Sequence, residues 1–289
     1  MALKSSNSHG VTLVNGAAKT FSEIYEEAKA RIMARAVAHA SRYPNSPYSG
    51  RNLVELEKAM RAEYARLGID LGQEFRDTLP LIMKTFYDSA KATLAADSAN
   101  KIIGEIDKAR IDYFLKDSFE SVAGATQRMA VTHVRALRSI SADVFRQTSL
   151  TGETRKQVSK LMLDRAMNVP GFQFIDSAGS KWEAKNYFEM LSRTQLMNAG
   201  RQSSFDFCAN NECDIVRVSI SGNSCDKCAP FENTLLSITG ATEGLVTIDE
   251  ATAAGLFHPN CTHSVTPVPE ELAKMDYNTD GSPKDGVNS

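Results

Sequence analysis

Two short stretches of the sequence, SCDKCAPF (residues 224–231) and LFHPNCTHS (residues 256–264), carry its most unusual combination of side chains. The first stretch has two cysteines separated by two residues, and a tight turn with this spacing can direct both sulfurs at one ion, as zinc knuckles do. The second stretch offers a histidine and a third cysteine at the same separation. A link between the two would staple a small region of short strands and loops, which has little core of its own.

The candidate metal ligands are Cys225, Cys228, His258 and Cys261, with His263 as an alternate ligand or an outer hydrogen-bond partner. Three sulfurs and one nitrogen would fill a closed tetrahedral site, which is how structural rather than catalytic zinc is held. Two other interpretations of these residues stay open. They are metal-free side chains buried for packing, or they form a redox pair or a catalytic thiol.

The sequence does not match the enzyme classes that use cysteine and histidine in such spacings. A zinc deaminase needs His-x-Glu ahead of Pro-Cys-x-x-Cys, and this chain has no His-x-Glu. A thioredoxin-like pair begins a helix, which Pro230 and the strand-like segment after it fit poorly. A catalytic Cys261 would need a histidine oriented by a third group, and a histidine two or three residues away seldom has that geometry. The sequence therefore predicts a protein without enzymatic activity or a small-molecule substrate.

The amino-acid composition narrows the kinds of protein that this chain can be. All five cysteines lie in the last third of the 289 residues, so they indicate a local role rather than a disulfide framework. The net charge of −2 does not indicate a nucleic-acid-binding protein as a whole. No apolar run is long enough for a membrane span, so we expect no membrane partner.

Residues before 169 have the pattern of successive helices. Thr20 and Glu23 have the spacing of a capping box, Gly68 is a typical helix end, and Pro80 predicts a kink or a restart. On these signals, helices are predicted over residues 20–42, 52–67, 71–97, 104–120 and 122–147.

After residue 169 the pattern changes to short elements. The sequence predicts a hairpin over 172–182, a helix over 184–208, strands over 215–220 and 235–238, and one or two helical turns over 248–254. The predicted fold class is therefore α+β: a long helical N-terminal region, then a small α+β domain with a short-stranded sheet and a Cys/His cluster. The predicted divisions are a flexible N-terminus (1–17), a helical domain (18–168), the α+β domain (169–268) and a polar, disordered tail (269–289).

Four arginines of the helix predicted over 122–147 share one side of it: Arg128, Arg135, Arg138 and Arg146. The simpler interpretation is the solvated face of an amphipathic helix. The alternative is a basic stripe that binds phosphates or an acidic partner. Apart from Phe145, no phenylalanine, tyrosine or tryptophan lies among the arginines, so stacking on bases is not indicated.

The order of the motifs FIDSAGSKW, YFEMLSRTQ, DIVRVSISGNSCDKCAPFENTLLSITG and GLFHPNCTHSVTP resembles the phage minor capsid protein 2 family. This family is related to the phage Mu protein F-like head morphogenesis proteins, and the resemblance covers about residues 169–268. The matching positions are Asp176, Gly179, Trp182, Arg193, Thr194, Cys225, Cys228, Ala229, Pro230, Gly240, Asn260, Cys261, His263 and Ser264.

The resemblance implies a structural protein of a tailed-bacteriophage virion, made in the host cytoplasm and present in few copies at the portal vertex or in the capsid interior. Its implied partners are the portal protein and the major capsid protein. Packaged DNA is a further partner under the alternative function, in which the protein binds DNA and is ejected with the genome. The sequence departs from the family pattern in two places. Phe231 and its neighbours replace a tryptophan and a Gln-Gly, and Thr262 replaces an arginine, which lowers the expectation of phosphate binding there.

Overall fold

The computed structural model describes residues 8–43, 50–97, 104–151, 154, 157, 160–161, 165, 173–175, 181–221 and 225–284. The described helices are α1 (Ser8–Arg42), α2 (Gly50–Asp97), α3 (Lys108–Thr151), α4 (Ala184–Asn210), α5 (Ile248–Ala253) and α6 (Glu270–Asp276). The described strands are β1 (Gln173–Ile175), β2 (Lys181–Glu183), β3 (Ile215–Val218), β4 (Leu235–Ser237) and β5 (Val265–Pro267). The predicted fold class is confirmed: long helices precede a small region with a three-stranded antiparallel sheet and a Cys/His cluster.

The chain divides into two compact units that each combine distant segments. The sheet unit contains Met1–Lys19, Arg76–Lys116 and Met190–Ser289, and the helical unit contains Thr20–Phe75 and Asp117–Glu189. The domain boundary predicted at residue 168 lies outside the described residues, so it stays a prediction. No described helix combines the length and the apolar character that crossing a bilayer requires.

The helices of the helical unit are longer than predicted. At Gly68, the glycine allows close packing of two helices instead of ending a helix. A β-carbon on Gly68 would lie 3.1 Å from Thr126 Oγ1, so the absent side chain lets α2 and α3 approach each other. The predicted end at Gly68 is therefore wrong, and α2 runs on through it. Likewise, α3 is one helix where the sequence predicted two, over 104–120 and 122–147.

Two further helix predictions, the restart at Pro80 and the start near Thr20, are wrong, and the kink that was the alternative at Pro80 stays a prediction. Helix α2 continues through Pro80, although an interior proline costs about 3 kcal/mol, because Leu79, Ile82 and Phe86 around it are all buried. Helix α1 begins at Ser8 rather than near Thr20, so residues 8–17 are not the flexible segment that the sequence predicted. Val14 and Ala18 on these first turns are fully buried, which accounts for the earlier start.

The sheet has the strand order β4-β3-β5, with β3 antiparallel to both neighbours. Successive side chains of β3 face opposite sides of a sheet. Val216 and Val218 pack in the cluster that contains Cys228 and Cys261, whereas Ile215 packs in a second cluster. The cysteines thus form part of the core on one face of the sheet.

The second cluster orders most of the predicted polar tail. Val268, Ala273 and Tyr277 are buried against Ile215 and Leu235, and this apolar contact holds α6 in place. The prediction of disorder over 269–289 is therefore wrong for residues 269–284, and residues 285–289 lie outside the described part of the chain. Single apolar residues spaced along a polar segment were sufficient to fold it, because the sheet supplied a surface for them.

Asp214, immediately before β3, fixes the loop that follows β4. Its carboxylate accepts hydrogen bonds from the hydroxyls of Ser237, Thr239 and Thr242 and from the backbone N–H groups of Thr239 and Thr242. Partial burial raises the carboxyl pKa, but these donors outweigh it and lower the pKa to about 2. The ionised carboxylate therefore organises the connection from the sheet toward α5.

Candidate metal centre

The first cysteine stretch forms a tight turn that leaves one thiol at the surface and places the other in the core. The backbone N–H groups of Cys228 and Ala229 both donate to the carbonyl of Cys225, at 2.9 Å. A short 3-10 helix follows over Ala229–Phe231, with Pro230 in its first turn. Cys225 is left exposed and Cys228 is fully buried in the core.

The second stretch forms a turn between α5 and β5. Helix α5, which lies within the one or two helical turns predicted over 248–254, is opened by a reciprocal capping box between Thr247 and Glu250. In the turn, the N–H of Cys261 donates to the carbonyl of His258 at 3.0 Å. Asn260 between them has a left-handed backbone, with φ of 70°, a conformation that asparagine tolerates better than most residues.

Helix α4 clamps this turn through two residues of the YFEMLSRTQ motif. The N–H of Asn260 donates to Thr194 Oγ1 at 2.9 Å, and Arg193 Nη1 donates to Asn260 Oδ1. Arg193 Nε also donates to Asn15 Oδ1 at 3.0 Å. Arg193, Thr194 and Asn260, which carried part of the sequence resemblance, thus make one hydrogen-bonded contact that positions Cys261.

The structure brings all five predicted ligands into two overlapping groups. One group contains Cys225, Cys228 and His258, the other contains Cys228, Cys261 and His263, and the ligand atoms within each group lie within 4.8 Å of one another. The Sγ atoms of Cys228 and Cys261 are 3.8 Å apart. Two sulfurs bound to one zinc at about 2.3 Å in tetrahedral geometry are also separated by about 3.8 Å. This part of the cluster therefore already has the spacing that a shared zinc would impose.

The two histidines present different nitrogens to the sulfurs. His258 Nε2 lies 3.1 Å from Cys225 Sγ, and its Nδ1 is 2.8 Å from the carbonyl of Pro259. His263 Nδ1 lies 3.3 Å from Cys261 Sγ, and its Nε2 is 2.8 Å from Glu232 Oε1. A backbone or carboxylate oxygen on one nitrogen orients the imidazole and leaves the other nitrogen facing the sulfurs. Both rings can thus turn a nitrogen toward a metal.

The protonation of the thiols follows from their surroundings. Backbone N–H groups of Cys228 and Lys227 lower the pKa of Cys225 to about 7. Burial raises the pKa of Cys228 to about 12. Burial also raises the pKa of Cys261, but the hydrogen bond with His263 and the charge of Arg201 outweigh it and lower that pKa to about 6. A metal that binds all three sulfurs must therefore displace the proton of Cys228.

Sequence reasoning missed two residues that contact this cluster, Glu232 and Arg201. Although a histidine two residues away was not expected to have the geometry, Glu232, His263 and Cys261 lie in hydrogen-bonded series, as in a nucleophilic triad. Cys261 is only 4% exposed, however. A cavity of about 620 Å³ is lined by its neighbours Asn260 and Thr262 and not by Cys261 itself. The sulfur of this hydrogen-bonded series is therefore almost fully buried.

The four arginines of the predicted basic stripe are exposed on α3 in the helical unit. Arg138 donates through Nε and Nη2 to both carboxylate oxygens of Glu57, at 2.5 and 2.6 Å. Arg146 lies 3.7 Å from Asp143. These ion pairs reduce the positive charge that Arg138 and Arg146 contribute to the stripe, so the solvated-face interpretation gains support.

Comparison with known proteins identifies a family that the chain matches. A family model described as phage minor capsid protein 2 matches residues 48–282, which include most of the helices as well as the sheet and the Cys/His cluster. No curated protein and no solved structure matches the chain.

The clamp between α4 and the His258–Cys261 turn predicts two different effects of substitution at Asn260. Asn260→Ala removes the acceptor of Arg193 and puts a residue that tolerates a left-handed backbone less well than asparagine at this position, so the free energy of unfolding should fall by about 1–3 kcal/mol. Asn260→Gly removes the contact without the strain and should cost less, about 1 kcal/mol. Urea unfolding measures both, with Thr262→Ala as a control that changes little. Wild-type stability in both Asn260 variants would contradict the clamp.

Proposed function

Because the chain belongs to the phage minor capsid protein 2 family, we propose that it is a structural component of a tailed-bacteriophage head, located at the portal vertex or in the capsid interior. The observation that carries this proposal is the family match over residues 48–282. In this function the long helices contact the portal and major capsid proteins, and the protein has no catalytic role. The burial of Cys261 supports the last point.

We further propose that the sheet unit is stapled by a structural zinc ion held by Cys225, Cys228, Cys261 and His258. Three thiolates and one imidazole form the donor set that closed, structural zinc sites use, and the separation of the Cys228 and Cys261 sulfurs supports the fit. His263 then lies outside the ligand set, beside Cys261, with Glu232 on its far nitrogen. Bound zinc would tie the turn after β3 to the turn before β5.

The alternative, a DNA-binding protein ejected with the genome, stays a prediction. Its motivation was the stripe of four arginines on α3. Arg138 and Arg146 form ion pairs with Glu57 and Asp143, so these two arginines of the stripe already have acidic partners within the helical unit. The proposal of a structural capsid protein therefore has the stronger support.

A capsid role predicts that the protein is found in purified virions and in DNA-free proheads, in far fewer copies than the major capsid protein. Quantitative mass spectrometry of both particles measures this. Particles emptied by DNA ejection should retain it, because a structural component is not released with the genome. Absence from virions and proheads would contradict the capsid proposal, and selective loss on ejection would favour the DNA-binding alternative.

The zinc staple predicts about one equivalent of zinc in protein purified without added metal. Cys228→Ser, Cys261→Ser and His258→Ala should each lose most of the zinc, because a closed tetrahedral site needs every ligand. His263→Ala should keep it with weaker affinity. Elemental analysis measures the content.

Cys213→Ser is the matched control, since Cys213 is a free cysteine outside both ligand groups, and it should keep its zinc. Loss of zinc from His263→Ala but not from His258→Ala would assign the fourth ligand to His263. Less than about a tenth of an equivalent in the parent protein would contradict the staple itself.

A further inference from the structure

Arg201 of α4 is a charged side chain in the core of the sheet unit. It is 3% exposed. Its Nη1 donates to the carbonyl oxygen of His263 at 2.7 Å, and its Nη2 donates to Asn198 Oδ1 at 2.8 Å. The guanidinium carbon lies 4.4 Å from the centre of the Phe257 ring, in cation–π geometry.

These partners satisfy hydrogen bonds but carry no negative charge. A buried cation is costly by several kcal/mol unless an anion lies close to it. Burial lowers the pKa of Arg201 to about 10, so it is still protonated at neutral pH. The side chain of Cys261 is a further hydrogen-bond partner of the guanidinium. A thiolate at Cys261 can therefore supply the negative charge that balances Arg201.

A divalent ion bound by three thiolates and one neutral imidazole has a net charge of −1, because two positive charges meet three negative ones. We propose that Arg201 is the counter-ion of this centre, so that the guanidinium neutralises the negative charge that the metal–thiolate cluster leaves in the core. This inference rests on the proposed zinc staple and identifies the residue that makes an anionic, three-thiolate centre tolerable in a buried site.

The position of Arg201 also explains two features of the chain around it. Phe257 has a left-handed backbone, with φ of 61°, which is unfavourable for a bulky residue, and its contact with the guanidinium helps to offset this cost. The carbonyl of His263 points to Arg201, so the guanidinium contacts the chain on both sides of Cys261. It thereby links α4 to the turn that carries two of the proposed ligands, His258 and Cys261.

The test compares the zinc affinity of full-length variants at position 201 by competition with a chelating dye. Arg201→Met removes the charge, leaves the cluster with an unbalanced negative charge, and should weaken zinc binding by about 10–100-fold. Arg201→Gln, which is polar but neutral, should lose as much. Arg201→Lys keeps the positive charge and should bind zinc several-fold more tightly than either neutral variant.

Arg217→Met is the control for loss of a buried arginine. Arg217 lies on β3 between Val216 and Val218, so its side chain faces away from the cluster that contains Cys228 and Cys261. It should bind zinc like the parent. If Arg201→Met does not fold, the comparison of Arg201→Gln with Arg201→Lys decides the question.

Parent-like affinity in Arg201→Gln would overturn the counter-ion proposal while the zinc staple stands. Equal losses in Arg201→Lys and Arg201→Gln would also overturn it, since geometry rather than charge would then matter. A parent protein that binds no zinc would overturn both the staple and the counter-ion.

Discussion

The sheet unit depends on the convergence of two turns on Cys228, whose thiol belongs to both groups of candidate ligands. Its sheet consists of three strands of three or four residues each, which is short for a sheet that must organise its surroundings. The turn after β3 and the turn before β5 are brought together across one face of this sheet, where Val216 and Val218 pack against the same cysteines. A metal that cross-linked these turns would hold the strands in register and fix the entry of the chain into β5.

Helix α4 also holds the turn before β5 in place. Thr194 and Arg193 hold the backbone and side chain of Asn260 from outside, and Arg201 reaches the carbonyl of His263 from within the core. One helix thus contacts the ligand-bearing turn at both ends. This explains why the helix motif and the cysteine motifs occur together in the sequence, because the helix positions the turn that carries two of the candidate ligands.

The sequence predicted the fold class, the hairpin, α4 and the convergence of the cysteines and histidines, because period and spacing are local signals. It failed at Gly68 and Pro80, where tertiary packing overrides the usual helix-ending preference, and in the tail, where Tyr277 folds only because Leu235 and Ile215 offer a surface. Neither Glu232 nor Arg201 belongs to a sequence motif that would indicate a role at this site. An arginine one turn after Met197, on the otherwise apolar side of α4, was the one available signal for Arg201.

We propose that one zinc ion joins Cys225, Cys228, Cys261 and His258 and that this link holds the sheet unit together. X-ray absorption at the zinc edge of the purified full-length protein tests this proposal, because it reports the atoms bound to the metal. Three sulfurs at about 2.3 Å and one nitrogen at about 2.0–2.1 Å are expected. A first shell of oxygen and nitrogen atoms without sulfur would contradict it.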